Sequence, residues 1–199
     1  MYLDVSSCQG KINWNEVAKH GNINGVILRA TTQNNKLDSR TIENYNGILQ
    51  NMSDIDEISV YKFTYARTYP AARIECKQCL AELSIHGIKP DYIYLDIEKH
   101  SGRDYTREEA DVVILAYIDE IKAFYGDSSK FRLYFNYNYL KNIISPFWWQ
   151  ELRYPVWLAR YNKTIGDTFG ANVVLWQYTS AGRINGITTD VDLSKEIAT

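Results

Sequence analysis

The sequence predicts an α/β fold, a βα barrel whose last part has lost its helices, on three observations. Apolar, β-rich runs recur eight times along the 199 residues. Amphipathic helical patterns separate the early runs at intervals of roughly 25 to 40 residues, the rhythm of consecutive βα units and a largely parallel sheet. After Pro155 the gaps become too short for full crossover helices. An open doubly wound sheet is the competing architecture.

The first run, Tyr2 to Val5, leads into a helix that starts around Asn13 and Glu16, carries Trp14 and closes at Gly21. Gly25 to Ala30 is the second strand, followed by a helix striped by Ile42, Tyr45, Leu49 and Met52. Ile58 to Tyr65 is the third. Its helix opens at Pro70, aligns Ala72, Cys76, Cys79, Leu80 and Leu83, and ends at Gly87 before Pro90. Tyr92 to Ile97 is the fourth strand, and the clearest helix follows it. Thr106 and Glu109 form a capping box, and Ala110, Val113, Ile114, Tyr117, Ile118, Ile121 and Phe124 repeat at helical spacing up to Gly126. Phe131 to Phe135, Pro155 to Ala159, Val173 to Tyr178 and Gly186 to Leu193 complete the set.

Composition bounds what such a chain does. With 45% apolar and 23% charged residues and few Pro or Gly, residues 1–199 are expected to form one domain with one sizeable core. A formal charge of -2 offers no positive field to collect phosphates, so nucleic acid is not an expected partner. The longest apolar stretch, Val112 to Ile118, is far shorter than the ~20 residues that span a bilayer, and no membrane insertion is expected. The N-terminus lacks the basic start and apolar core of a secretory signal, implying export by another route or a domain of a longer chain. Three cysteines make no disulfide framework, and Cys76 and Cys79, though spaced C-x-x-C, lie on an apolar helical stripe and read as core. With three His and no phosphate loop, metalloprotease helix or nucleophile elbow, no metal or cofactor is expected. A monomer is the expected state.

The chemistry sits in the carboxylates. Strand periodicity over Tyr92 to Glu98 puts Ile93, Leu95 and Ile97 on one side and Tyr94, Asp96 and Glu98 on the other. If the apolar side faces the helices, Asp96 and Glu98 point inward at the carboxyl end of the strand, where barrel enzymes place their chemistry. Two acids on one face repel and share a partly desolvated site, which raises at least one pKa. A proton donor beside an anion is what glycosidic cleavage requires. Asp4 ends the first strand and Asp192 lies in the last, so in a closed barrel both reach the same mouth. Aromatic side chains whose flat faces suit sugar rings cluster near the strand ends: Tyr61, Phe63, Tyr134, Tyr137, Trp157, Tyr161, Trp176 and Tyr178. The loop pair Trp148 and Trp149 is the one least easily assigned to the core.

These residues resemble the lysozyme-type muramidases of glycoside hydrolase family 25 nearly end to end. The likeness runs through Asp4-Val5-Ser6-Ser7 with Gln9-Gly10 and Trp14, Tyr94-Leu95-Asp96-Ile97-Glu98, Tyr134 with Asn136, and Trp157-Leu158-Ala159 with Tyr161. It continues through Leu175-Trp176-Gln177-Tyr178-Thr179 and Gly186 followed by Val191-Asp192-Leu193. The resemblance implies an irregular TIM-like (β/α)5(β)3 barrel of eight strands and five helices. It also implies hydrolysis of the β-1,4 bond between N-acetylmuramic acid and N-acetylglucosamine, with peptidoglycan glycan strands as partner. It makes Glu98 the general acid and Asp96 the carboxylate that stabilises the developing cation or orients the substrate's acetamido group. Asp4 and Asp192 become outer acids that tune the pair, and Tyr61, Phe63, Tyr134, Trp157, Tyr161, Trp176 and Gln177 become substrate-binding residues. Two departures stand out. Arg29-Ala30-Thr31-Thr32-Gln33 replaces a family stretch that carries an acid near position 32, and Lys62 stands where the family has His between Tyr61 and Phe63. A non-catalytic wall-binding protein and a chitin-type N-acetylglucosaminidase on the same barrel are the alternatives.

Overall fold

The computed structural model describes residues 1–197, and its eight strands close into a barrel in chain order. Strands β1 (Tyr2–Val5), β2 (Gly25–Arg29), β3 (Glu57–Phe63), β4 (Ile93–Asp96), β5 (Phe131–Asn136), β6 (Val156–Ala159) and β7 (Val173–Gly182) run parallel to one another. Strand β8 (Val191–Glu196) is antiparallel to both β7 and β1, which closes the barrel without a crossover helix. The expected final strand began at Gly186. Instead, Gly186 turns with φ of 96° and its carbonyl accepts a hydrogen bond from Asn13 N at 2.9 Å, so the strand starts five residues later.

Helices α1 (Trp14–Ala18), α2 (Thr41–Asn51), α3 (Tyr69–Ile85) and α4 (Arg107–Tyr125) follow the first four strands. Two short helices, α5 (Tyr137–Asn142) and α6 (Phe147–Gln150), follow β5, and the last three strands carry none. This is the expected (β/α)5(β)3 arrangement, with an antiparallel end that the reading of a largely parallel sheet did not contain. Among the described residues no helix is long and apolar enough to cross a membrane.

Period-2 geometry divides each strand between two cores. Leu3, Val5, Val26, Leu28, Val60, Leu95, Leu133 and Leu158 face outward and pack with the helices. Tyr2, Ile27, Tyr94, Trp157 and Leu175 face inward and fill the barrel's middle. Helix α4 carries the expected capping box, with Thr106 accepting from Glu109 N and Glu109 from Thr106 N, and Gly126 ends it in the left-handed region. Its stripe is buried from Ala110 to Ile121, but Phe124 is half-exposed. Helix α2 departs further from expectation. Its buried face is Thr41, Asn44 and Ile48, while Ile42 and Leu49 lie on the surface. The cause is Trp14, whose Nε1 donates to Asn44 Oδ1 at 3.3 Å and whose ring lies against Gly47, where a Cβ would come within 2.2 Å of it.

Trp148 and Trp149 are also a correction. Both are buried in α6, Trp149 completely, and Trp148 Nε1 donates to Asp111 Oδ1 at 2.6 Å, so the pair belongs to the core. Cys76 and Cys79 are buried and free, as the helical stripe predicted, and burial pushes the Cys79 thiol up to about 11.

Candidate active site

The inward positions at the carboxyl end of the parallel strands are polar, in contrast to the apolar layer beneath. Asp4 of β1 sits directly opposite Asp192 of β8, as closure of the first and last strands requires. Asp96 ends β4, opposite Phe63 of β3 and Tyr134 of β5, and Glu98 follows two residues on, at the mouth. The expected quartet therefore converges from three strands. Gln177 of β7 ties its outer members together, donating from Nε2 to Asp192 Oδ2 at 3.2 Å and Asp4 Oδ2 at 3.4 Å. Its Oε1 accepts from Tyr134 OH at 2.9 Å and Tyr161 OH at 2.8 Å.

The two central acids differ in surroundings. Asp96 is 4% exposed, and its Oδ1 is buried without a hydrogen-bond partner. Glu98 is half-buried and accepts from Asn136 Nδ2 at 3.4 Å. Beside it a groove of about 360 Å³ opens between Asn136, Tyr137, Asn138, Ala159 and Tyr161. Burial holds Asp96 well above the ordinary carboxylate range, helped by the charges of Glu98 and Asp4, while Arg29 and Lys62 pull it back. Burial also raises Glu98, with the Asn136 hydrogen bond opposing and the Asp192 charge adding to the rise. Asp4 is raised by burial and then by Asp192 and Glu98, and Asp192 by burial. Acids gathered this way hold their protons to higher pH than free carboxylates do.

A family model described as Glycosyl hydrolases family 25 matches residues 3–187, which takes in every one of these strands except the last, and of that one only Asp192 of the quartet lies past its end. The chain belongs to glycosyl hydrolases family 25. Solved structures agree with the fold. The modular autolysin LytC from Streptococcus pneumoniae, in complex with a synthetic peptidoglycan ligand, superposes with a TM-score of 0.83 at 24% identity, covering 97% of this chain. This chain spans 45% of that autolysin. A bacterial lysozyme from Streptomyces coelicolor gives 0.76 at 21% identity, with 99% of this chain and 91% of that one covered. The catalytic domain of endolysin ply40 from bacteriophage P40 of Listeria monocytogenes gives 0.75 at 21% identity, covering 99% and 92%. No curated protein matches the sequence.

Within this family 25 chain the expected substrate-binding residues separate into two groups. Tyr61 is half-buried beside Asp4 and Asp96, Phe63 stands at the mouth against Tyr65 with ring centroids 4.9 Å apart, and Tyr161 is 56% exposed on the groove. The others do not present a face to the cleft. Trp157 is 1% exposed in the barrel's middle layer, packed on Tyr94 and Tyr134, with Nε1 donating to Ser194 Oγ at 2.9 Å. Trp176 alternates with the inward Leu175 and Gln177, so it faces out of the barrel. There its Nε1 donates to Arg160 O at 2.8 Å and the Lys195 ammonium lies 4.6 Å from its ring. Gln177 is fully buried and bonded to the acids, and Tyr134 is buried against Trp157 with its hydroxyl on Gln177. Asn136 and Arg29 were not singled out for the site. Asn136 was legible, because it sits two residues after Tyr134 on the same inward face. Among the described residues no group of three or more His, Cys, Asp or Glu is arranged to hold a metal ion.

Proposed function

We propose that the protein is a muramidase that hydrolyses the β-1,4 bond between N-acetylmuramic acid and N-acetylglucosamine in peptidoglycan. The observation that carries this reading is the D-x-E pair at the barrel mouth, with Glu98 facing the groove and Asp96 buried behind it without a hydrogen-bond partner. A glycan strand lying along the groove brings its glycosidic oxygen to Glu98, which donates the pair's shared proton to the leaving group. Asp96 is left ionised as positive charge develops on the sugar, its free Oδ1 either stabilises that charge or orients the substrate's acetamido group, and a water then bonds to the anomeric carbon and gives its proton back to Glu98. Burial and the charges of Glu98 and Asp4 oppose the ionised form of Asp96, Arg29 and Lys62 favour it, and the positive charge developing on the sugar adds to the latter. Asp4 and Asp192, clamped by Gln177, surround the pair with further negative potential. Tyr61, Phe63 and Tyr161 supply flat apolar faces for the sugar rings. The family and the peptidoglycan ligand on the autolysin relative support the substrate class.

Purified cell walls should lose turbidity on incubation with the protein, and mass analysis of the new reducing ends should find muramic acid. Glucosamine at those ends would indicate a chitin-type enzyme instead. Saturable binding of muropeptides without new reducing ends would identify a wall-binding relic and end the muramidase reading.

A further inference from the structure

Lys62 is an outlier in this molecule. It lies on the outward face of β3, between the barrel and α3, yet its side chain is completely buried. A buried ammonium is retained only when other groups compensate its desolvation. Its Nζ donates to the Thr32 carbonyl at 3.0 Å and lies 3.9 Å from Glu75 Oε2 of α3. Glu75 is itself held, accepting from Tyr117 OH at 2.6 Å and from Tyr65 N at 3.1 Å. One charge therefore joins the loop after β2, strand β3, and helices α3 and α4, immediately behind the cleft wall.

We propose that Lys62 is a positioning residue for the reaction: anchored by Glu75, it pins the Thr32 loop to the cleft wall and keeps a fixed positive charge behind Asp96. This inference rests on the reading of Asp96 as the carboxylate that works in its ionised form. The strand register supports it, since Phe63, the next residue, pairs with Asp96, and Thr64 N donates to the Asp96 carbonyl at 3.0 Å. The groups facing Lys62 come from every neighbouring element. Burial lowers the Lys62 pKa and Arg29 of β2 adds to that, while Glu75 of α3 and Asp96 of β4 favour the ammonium; the Cys79 thiol of α3, pushed up to about 11, faces it uncharged. Reciprocally, Arg29 and Lys62 are the two cations that oppose the rise that burial, Glu98 and Asp4 impose on Asp96. Arg29 has a buried Nε without a partner, so Lys62 is the better anchored of the two.

The test compares Lys62→Met, the double variant Lys62→Met/Glu75→Gln, and Lys62→Arg with the wild type and with Asp96→Asn. The double variant removes both charges, and the amide that replaces the Glu75 carboxylate can still accept from Tyr65 N while donating to a reoriented Tyr117 hydroxyl. In both neutral variants the acid limb of the kcat/KM profile should move up by about half a pH unit or more, because Asp96 loses a stabilising cation. Lys62→Arg should keep the limb in place. Amides of Thr32 and Asn35, bonded to Lys36 O and Thr32 O, should exchange about tenfold faster in the neutral variants, a readout independent of turnover. Neutral variants that cannot fold, or that fold with unmoved pH limb and unchanged exchange, would reduce Lys62 to a structural ion pair and overturn the proposal. If instead Asp96→Asn retains full activity, the underlying reading of Asp96 fails. An Asp96→Asn that is inactive beside Lys62 variants with a wild-type profile sinks this inference alone.

Discussion

At the scale of single residues the site is decided by how unequally two neighbouring acids are treated. Asp96 and Glu98 leave the same strand edge, but one is sealed in with an unpartnered carboxylate oxygen, while the other meets the groove and a single amide. Glu98→Gln keeps shape and polarity but has no proton to donate. It should lower kcat by about 10²- to 10⁴-fold with little change in binding of wall fragments, as measured by turnover and equilibrium binding together. Retention of more than about a tenth of wild-type activity would remove Glu98 from the role of acid. Asp96→Asn should also cost most of the activity, and it should move the limb that reports Glu98 to lower pH. The reason is that deleting a nearby negative charge makes the remaining acid easier to ionise. Limbs that stay put would show that the two groups are uncoupled. Sequence periodicity was enough to find this pair, since alternation alone points both acids the same way. It could not separate Tyr161 from Trp157 or Trp176. All three are aromatic and near strand ends, and only depth within the barrel and the side of the sheet tell them apart.

At the scale of elements, the strands and the longer helices were readable because their periods are strong and their caps explicit. Helix α2 shows where that reading stops. Of its predicted stripe, Tyr45 and Met52 pack against the core but Ile42 and Leu49 lie on the surface, because the neighbour the helix must accept is the broad ring of Trp14. A glycine opposite an indole and an asparagine bonded to its N–H fit that neighbour better than another aliphatic side chain does. Gly47→Ala tests this account against simple helix propensity. Propensity alone favours alanine in mid-helix by roughly 1 kcal/mol. The added methyl would overlap the buried Trp14 ring, so the expected outcome is a net loss of about 1 to 2 kcal/mol of stability, read from denaturant unfolding. A variant as stable as the wild type or more so would mean that the α1–α2 contact yields readily. The short helices α5 and α6 escaped notice for a different reason. At 6 and 4 residues they are too brief to display a period, and tertiary packing of Tyr139, Trp148 and Trp149 holds them.

At the scale of the whole molecule, closure is what turns scattered acids into a site. Asp4 and Asp192 are 188 positions apart in the chain, and only the antiparallel pairing of β8 with β1 sets them face to face. That juxtaposition has a thermodynamic sign. Asp4, Asp96, Glu98 and Asp192 all have folded-state pKa values raised above their unfolded ones, chiefly by burial. The folded state thus binds protons more tightly. The stability this confers is complete below the ordinary carboxylate pKa and is lost as pH rises through the raised values toward neutral. Glu109 behaves oppositely. Arg103 and the backbone of Thr106 lower it to about 2, so its contribution is present above the ordinary carboxylate range and falls away only near that value, outside the window. Asp192→Asn and Asp4→Asn each leave an amide oxygen for Gln177 Nε2 while deleting one buried charge. Both should therefore melt higher than the wild type at pH 7, and the gain should shrink at pH 5, where the wild-type acids are closer to protonated. Thermal melts of the three proteins at the two pH values decide the matter. A difference that is absent at pH 7, or equally large at both, would mean that the cleft acids are not held against their own repulsion, and that the charge gathered by closing the barrel costs the fold nothing.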